Sequence, residues 1–208
     1  MESSNQSVVV QALEAHLQVV REVSKSLAST VGEIGELLAS VLSGGGTVYW
    51  CGNGGSAADS QHLSAELIGR FSTNRRPLRS VALTTDSSAL TCIANDFDFE
   101  SVFSRQVEAL LGPRDVLVAL STSGESKNIV GALQMAKESG ASTVALLGKG
   151  GGAAAEVADH LLEILSLAGK HQLLRSRRVE FHGQMRVELG DDPGDALEHI
   201  AHRRAEDD

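Results

Sequence analysis

The chain has 208 residues, two cysteines, 3% aromatic residues and a formal net charge of −9. That length buries a full core without a disulfide or a structural metal. The acidity argues against a nucleic-acid partner, which calls for a basic face, and no apolar run is long enough to span a membrane. Residues 1–6 lack the basic and apolar regions of a secretory leader, so a cytoplasmic protein is expected. Cys51 and Cys92 both lie in apolar runs and are expected to be buried free thiols. Acidity does not exclude an anionic ligand, because backbone N–H groups and a helix N-terminus can hold a phosphate.

In chain order, Val9, Leu13, Leu17, Val20, Val23 and Leu27 give one apolar helical face over residues 6–27. Ile34, Leu37, Leu38, Val41 and Leu42 give a second over 31–42, ended by Gly44-Gly-Gly46. These helices precede any strand and form an N-terminal arm over residues 1–45. Their apolar faces need cover, which a partner subunit would supply. Strands are then expected over 47–51, 80–83, 115–120, 142–147 and 160–165, mostly as continuous apolar runs suited to burial on both faces. Helices are expected between them at 56–70, 87–94, 99–111, 126–139 and 153–158. This alternation over 46–165 predicts an α/β fold with a parallel sheet and right-handed crossovers.

The pattern breaks at residue 166. Residues 166–208 hold four of the seven histidines and seven of the 18 Lys and Arg residues, with few apolar positions. A helix over about 171–189 is predicted there, followed by a frayed tail beyond Gly190-Asp-Asp-Pro-Gly194.

Four motifs carry chemistry. Cys51-Gly-Asn-Gly-Gly-Ser56 joins a strand to a helix. Gly54 and Gly55 let a ligand approach the backbone, Asn53 can line the site, and Ser56 either caps the helix or binds ligand oxygen. The same residues also make an ordinary glycine-rich turn. Ser121-Thr-Ser-Gly-Glu-Ser126 follows another strand and places four hydroxyls, on Ser121, Thr122, Ser123 and Ser126, beside a helix start. That suits a phosphate cradle; the plainer reading is a serine-rich loop capped by Ser126. Both loops sit where parallel sheets bind ligands.

His62 and Glu66 are spaced i, i+4 on the helix that leaves the first loop, so its first turns should border the cleft. The pair can ligate a metal, move a proton, or simply be a surface His–Glu pair. Thr85 and Asp86 follow a third strand, and Asn95-Asp96 ends the next helix. They can reach sugar hydroxyls, or cap and turn the chain. Arg70 can meet a ligand or the helix carbonyls.

These residues resemble the sugar-isomerase (SIS) domain family, and within it the bacterial sedoheptulose-7-phosphate isomerases. The likeness is carried by Cys51–Phe71, Ala82–Thr91, Ile93–Phe97, Val102–Val107 and Leu120–Gly124, and runs to about residue 165. It implies a flavodoxin-like five-stranded parallel sheet with flanking helices and a homotetramer. It also implies conversion of sedoheptulose 7-phosphate to D-glycero-D-manno-heptose 7-phosphate, toward nucleotide-activated heptose. By resemblance, Ser121, Thr122, Ser123 and Ser126 hold the phosphate, Asn53 and Ser56 line the site, and Arg70 and Asp96 lie near the sugar. Glu66 is the base, and His62 and Glu66 are two ligands of a zinc ion, one per subunit.

Two departures stand out. The family has Asn where this chain has Glu125, whose carboxylate should face solvent, away from a phosphate. The family's closing helix supplies a Gln and a His eight residues apart; here Gln172 and His182, as substrate, acid–base and metal residues, are ten apart. The abrupt change of composition after residue 165 is what translation in a shifted reading frame produces. The competing class is a non-catalytic SIS protein that binds a phosphosugar or a protein partner such as a replication initiator.

Overall fold

The computed structural model describes residues 4–164 and 176–178. Helices α1 (Ser4–Ser26) and α2 (Ala28–Ser43) come first, as the two apolar periodicities require. Five β/α steps follow: β1 (Val48–Gly52), α3 (Gly55–Ile68), β2 (Ser80–Ala82), α4 (Ser87–Asp96), α5 (Ser104–Leu110), β3 (Val116–Ser121), α6 (Lys127–Glu138), β4 (Ser142–Leu147), α7 (Gly152–Val157) and β5 (His160–Glu163). β6 (Ser176–Arg178) closes the described chain.

The strand order is β2-β1-β3-β4-β5-β6. The first five strands are mutually parallel. The order 2-1-3-4-5 is the flavodoxin-like winding, which reverses between β1 and β3. Successive side chains along each strand point to opposite faces of the sheet. Val48, Trp50, Val116 and Val118 face α2 and α3, joined by Ile34, Leu37 and Leu63. Tyr49, Cys51, Leu117 and Ala119 face the other layer, where they meet Val107, Ile129 and Leu133. The parallel sheet is thus covered on both faces, which is why its strands read as unbroken apolar runs.

Several expectations are corrected. β6 pairs antiparallel with β5, so the sheet has six strands and residues 176–178 are not helical. The remainder of the helix expected over 171–189, with Gln172 and His182, lies outside the described residues, as does the tail. The expected helix over 99–111 is instead a 3₁₀ turn at Phe99–Ser101 followed by α5. Asp98 accepts a hydrogen bond from Ser101 N at 2.7 Å and starts that turn. Cys51 is buried as expected, and burial pushes its thiol pKa up to about 12. Cys92 is exposed, because it sits on the solvent face of α4, one turn before Asp96. Its thiol pKa is raised by the hydrogen bond to Asp96 and by that carboxylate's charge.

α1 packs on α2. Val8, Val9, Leu13 and Leu17 are each more than half exposed on it, so the arm's apolar face is uncovered in the single chain.

Candidate functional site

The two loops singled out by sequence flank the point where the strand order reverses, β1 feeding one and β3 the other. A bridge of two side chains ties them together. Asn53 Nδ2 donates to Asn128 Oδ1, and Asn128 Nδ2 donates back to Asn53 Oδ1, both at 2.9 Å. Asn128 is 3% exposed, so this reciprocal amide pair satisfies a buried polar group that would otherwise cost about 1–3 kcal/mol. The sequence reading missed Asn128. Its only local signal was a polar residue in the first turn of a helix, and its partner lies 75 positions away.

A cavity of about 290 Å³ opens beside this pair, lined by Asn53, Phe99, Glu100, Ser126, Lys127 and Asn128. It faces the N-terminus of α6. Ser126 occupies the capping position there but makes no side-chain cap, against one reading of it. The first N–H groups of a helix have no i−4 acceptor; Ile129 N bonds back to Ser126 O, and those of Lys127 and Asn128, which line the cavity, suit an anion. Lys127 and Glu100 stand at the mouth as a 2.8 Å ion pair, so the ammonium is partly neutralised there. That hydrogen bond, then the charge of Glu100, raises the ammonium pKa.

The serine loop is held in shape by its own side chains. Ser121 Oγ accepts from Gly124 N at 3.0 Å and Ser123 Oγ accepts from Glu125 N at 3.2 Å. Ser121 is buried, whereas Thr122 is exposed and Ser123 and Ser126 are half-buried. Ser121 therefore shapes the cradle from beneath, and the other three hydroxyls lie on its accessible side. Gly124 has φ +68°, and a Cβ there would sit 1.8 Å from Gly151 O. No other residue fits, because the loop is pressed onto the glycine run after β4. Glu125 is exposed and turned away as expected. Its Oε1 accepts from Ala153 N at 3.2 Å at the start of α7.

The first loop is as tight. A Cβ on Gly52 would meet Ser56 O at 2.6 Å. The capping position of α3 is Gly54, so Ser56 lies inside the helix and is not its cap. Ser56 is half-buried and Gly55 exposed.

His62 and Glu66 do meet, with Nε2 and Oε1 3.5 Å apart. Their direction differs from the expected one. Ser60 and Ser64 are the buried stripe of α3, and Ser64 is locked to the sheet by a relay. Trp50 Nε1 donates to Ser80 Oγ at 2.9 Å, and Ser80 Oγ donates to Ser64 Oγ at 3.0 Å. Two residues on is about 200° around a helix. His62 and Glu66 therefore stand on the outer side, with side chains 73% and 31% exposed, rather than bordering the cavity at Asn53. The pair offers a metal two of the four donors a tetrahedral site needs. Among the described residues no group of three His, Cys, Asp or Glu is placed to hold a metal.

Asp86 caps α4, accepting from Ala89 N at 3.0 Å, and Thr85 Oγ1 donates to Ala82 O at 3.0 Å. Both are exposed. Asn95 donates to Asp96 at 2.8 Å, and this bond, then that from Cys92, lowers the Asp96 pKa. Arg70 is exposed and donates to Asn74 at 2.9 Å. The helix carbonyls it was considered for are taken by Arg75, which donates to Glu66 O at 2.6 Å and Leu67 O at 2.8 Å.

The winding and the two phosphate-type loops define a SIS domain. The SIS domain family model matches residues 13–148, and the chain belongs to that family. Relatives about half identical to it include phosphoheptose isomerases. The chain is 50% identical to the phosphoheptose isomerase of Geotalea daltonii over 147 residues, which cover 71% of this chain and 77% of the relative. It is 48% identical to phosphoheptose isomerase 1 of Campylobacter jejuni over 160 residues, 77% of this chain and 86% of the relative. The structure of phosphoheptose isomerase GmhA from Neisseria gonorrhoeae superposes with a TM-score of 0.72 at 40% identity, covering 78% of this chain and 86% of that one.

Proposed function

We propose that the chain is a ketose–aldose isomerase that converts sedoheptulose 7-phosphate to D-glycero-D-manno-heptose 7-phosphate, toward the heptose of lipopolysaccharide. The observation that carries this reading is the Asn53–Asn128 bridge. It fixes the two loops across the strand-order reversal and leaves the N-terminus of α6 open to the sugar phosphate. Thr122, Ser123 and Ser126 take the phosphate oxygens, over a floor shaped by Ser121. Glu66 removes the C1 proton of the ketose and returns it to C2 through an enediol, while a proton is delivered to O2 and one is lost from O1, for which His182 is the proposed acid–base partner.

His62 and Glu66 are the zinc ligands contributed by α3, and zinc bound there would polarise the sugar oxygens. Their outward direction fits a site completed by further donors, for which Gln172 and His182 are the candidates. Arg70, Thr85, Asp86, Asn95 and Asp96 are proposed for the sugar hydroxyls. The uncovered apolar face of α1 fits a homotetramer, and the protein is read as cytoplasmic.

The test is turnover of sedoheptulose 7-phosphate by the full chain, with and without Zn²⁺, beside Glu66→Gln. Loss of about 10²–10⁴-fold in turnover is expected for that variant; unchanged turnover excludes Glu66 as the base. Calorimetric binding of the sugar phosphate by the wild-type chain without turnover would favour the non-catalytic reading. The composition break after residue 165 is tested by sequencing the source gene. An alternative frame that encodes no helix with a Gln and a His eight residues apart rules out the shifted frame.

A further inference from the structure

At the opposite end of the sheet from the two loops, the amino-terminal ends of β1, β2 and β3 border a cavity of about 330 Å³. Thr47 and Tyr49 line it from the start of β1, Arg79 from just ahead of β2, and Arg114 and Asp115 from the turn ahead of β3. Leu110 and Pro113 give it an apolar side.

The charge balance of this cavity is unusual for an acidic chain. Asp115 is fully engaged by the backbone: Oδ1 accepts from Thr47 N and Oδ2 from Gly112 N, each at 2.8 Å. It braces the start of β1 against the turn ahead of β3 and still carries its charge. Arg79 makes one described bond to a neutral group, Nε to Thr47 Oγ1 at 3.1 Å. Among the described residues neither guanidinium is ion-paired. Two arginines thus face one cavity, their charge only partly offset by Asp115, in a chain of net charge −9. Guanidinium forks match phosphate oxygens. Tyr49 donates to Leu110 O at 3.2 Å, and its side chain is also hydrogen-bonded to Thr47, so it fixes one wall of the cavity. Burial, then the charge of Asp115, raises the phenol pKa, so it stays a neutral hydrogen-bonding group.

We infer that this cavity is a second ligand site, for a small phosphate-bearing metabolite whose anionic head pairs with Arg79 and Arg114 and whose body lies against Leu110 and Pro113. Its volume lies at the lower end of small-molecule sites, which run from about 300 Å³ upward. The inference is independent of the isomerase reading, since it uses none of the same residues.

Inorganic pyrophosphate titrated calorimetrically into the full chain is the test. Two classes of site per chain are expected, one at the serine loop and one here. In R79Q/R114Q the second class should weaken at least about tenfold, the loss of a paired anion contact. The first class should remain, and turnover without pyrophosphate should not change. Amide resonances of Gly45 and Gly112, which line the cavity, should shift on titration in the wild type only. Unchanged pyrophosphate affinity and stoichiometry in R79Q/R114Q would overturn the proposal. So would a single class of site in the wild type, or a changed assembly size with unchanged affinity, which would make the cavity a subunit contact. If the double variant fails to fold, R114E alone carries the same comparison.

Discussion

Asn128 and Glu163 are both buried polar side chains at the carboxyl-terminal end of the sheet, and the fold treats them in opposite ways. Asn128, 3% exposed, has its amide paired in both directions with Asn53. Glu163, 1% exposed, has no hydrogen-bond partner for either carboxylate oxygen among the described residues. One buried polar group ties two loops into a site. The other carries a desolvation cost with nothing described to offset it. The contrast separates a buried polar group whose partner is described from one whose partner, if it has one, is not among the described residues.

The largest expected effect comes from breaking the loop that the asparagine pair serves. Gly124→Ala forces a Cβ to within 1.8 Å of Gly151 O at a positive φ. It should lower unfolding free energy by about 3–5 kcal/mol in urea titration, the range of severe core and backbone lesions. Asn128→Ala comes next. It strands the Asn53 amide and should cost about 1–3 kcal/mol, with KM for the sugar phosphate rising more than kcat falls. An unchanged KM would show that the bridge does not shape the site.

Glu163→Leu sharpens the other side of the comparison. Removing a buried carboxylate with no partner among the described residues should raise stability by about 1–3 kcal/mol, and Glu163→Gln should raise it by less. A fall in both variants would mean that the carboxylate is paired. The smallest effect lies in the cysteines. At pH 8 a thiol reagent should label Cys92 in the native protein and leave Cys51 untouched. Burial raises the folded pKa of Cys51 from the ordinary 9.0 to about 12. Its contribution to stability is therefore complete below pH 9 and is lost as pH rises toward 12.

Much of the architecture was legible because the signals were local. The apolar runs gave all five parallel strands to within about two residues, the usual uncertainty of element ends. Their order could not be read so directly, because adjacency in a sheet is a non-local property; it came through resemblance. What was missed follows the same rule. Asn128 pairs across 75 positions. Ser60 and Ser64 form a buried stripe of hydroxyls, which an apolar periodicity does not mark. Without that stripe the rotation of α3 was misjudged, and with it the side on which His62 and Glu66 stand. Asp98 interrupted an expected helix through one side-chain bond, a signal visible in sequence but weaker than the hydrophobic pattern around it. Cys92 looked buried because its neighbours are apolar, yet in a helix sequence neighbours point about 100° apart.

The shortness of β2 bears on solubility. It forms one edge of the sheet, and only Ser80, Val81 and Ala82 pair, all with β1. An open strand edge is a template for adding another chain, and proteins blunt such edges with short strands, charge and proline. Here the edge spans three residues and is preceded by Arg75, Arg76, Pro77 and Arg79. A fibril-like stack seeded on that side would have to carry a row of like charges and a proline with no N–H to donate. Concentrated preparations of the folded chain should therefore resist growth from this edge, and Pro77→Val with Arg79→Val should expose it to self-association.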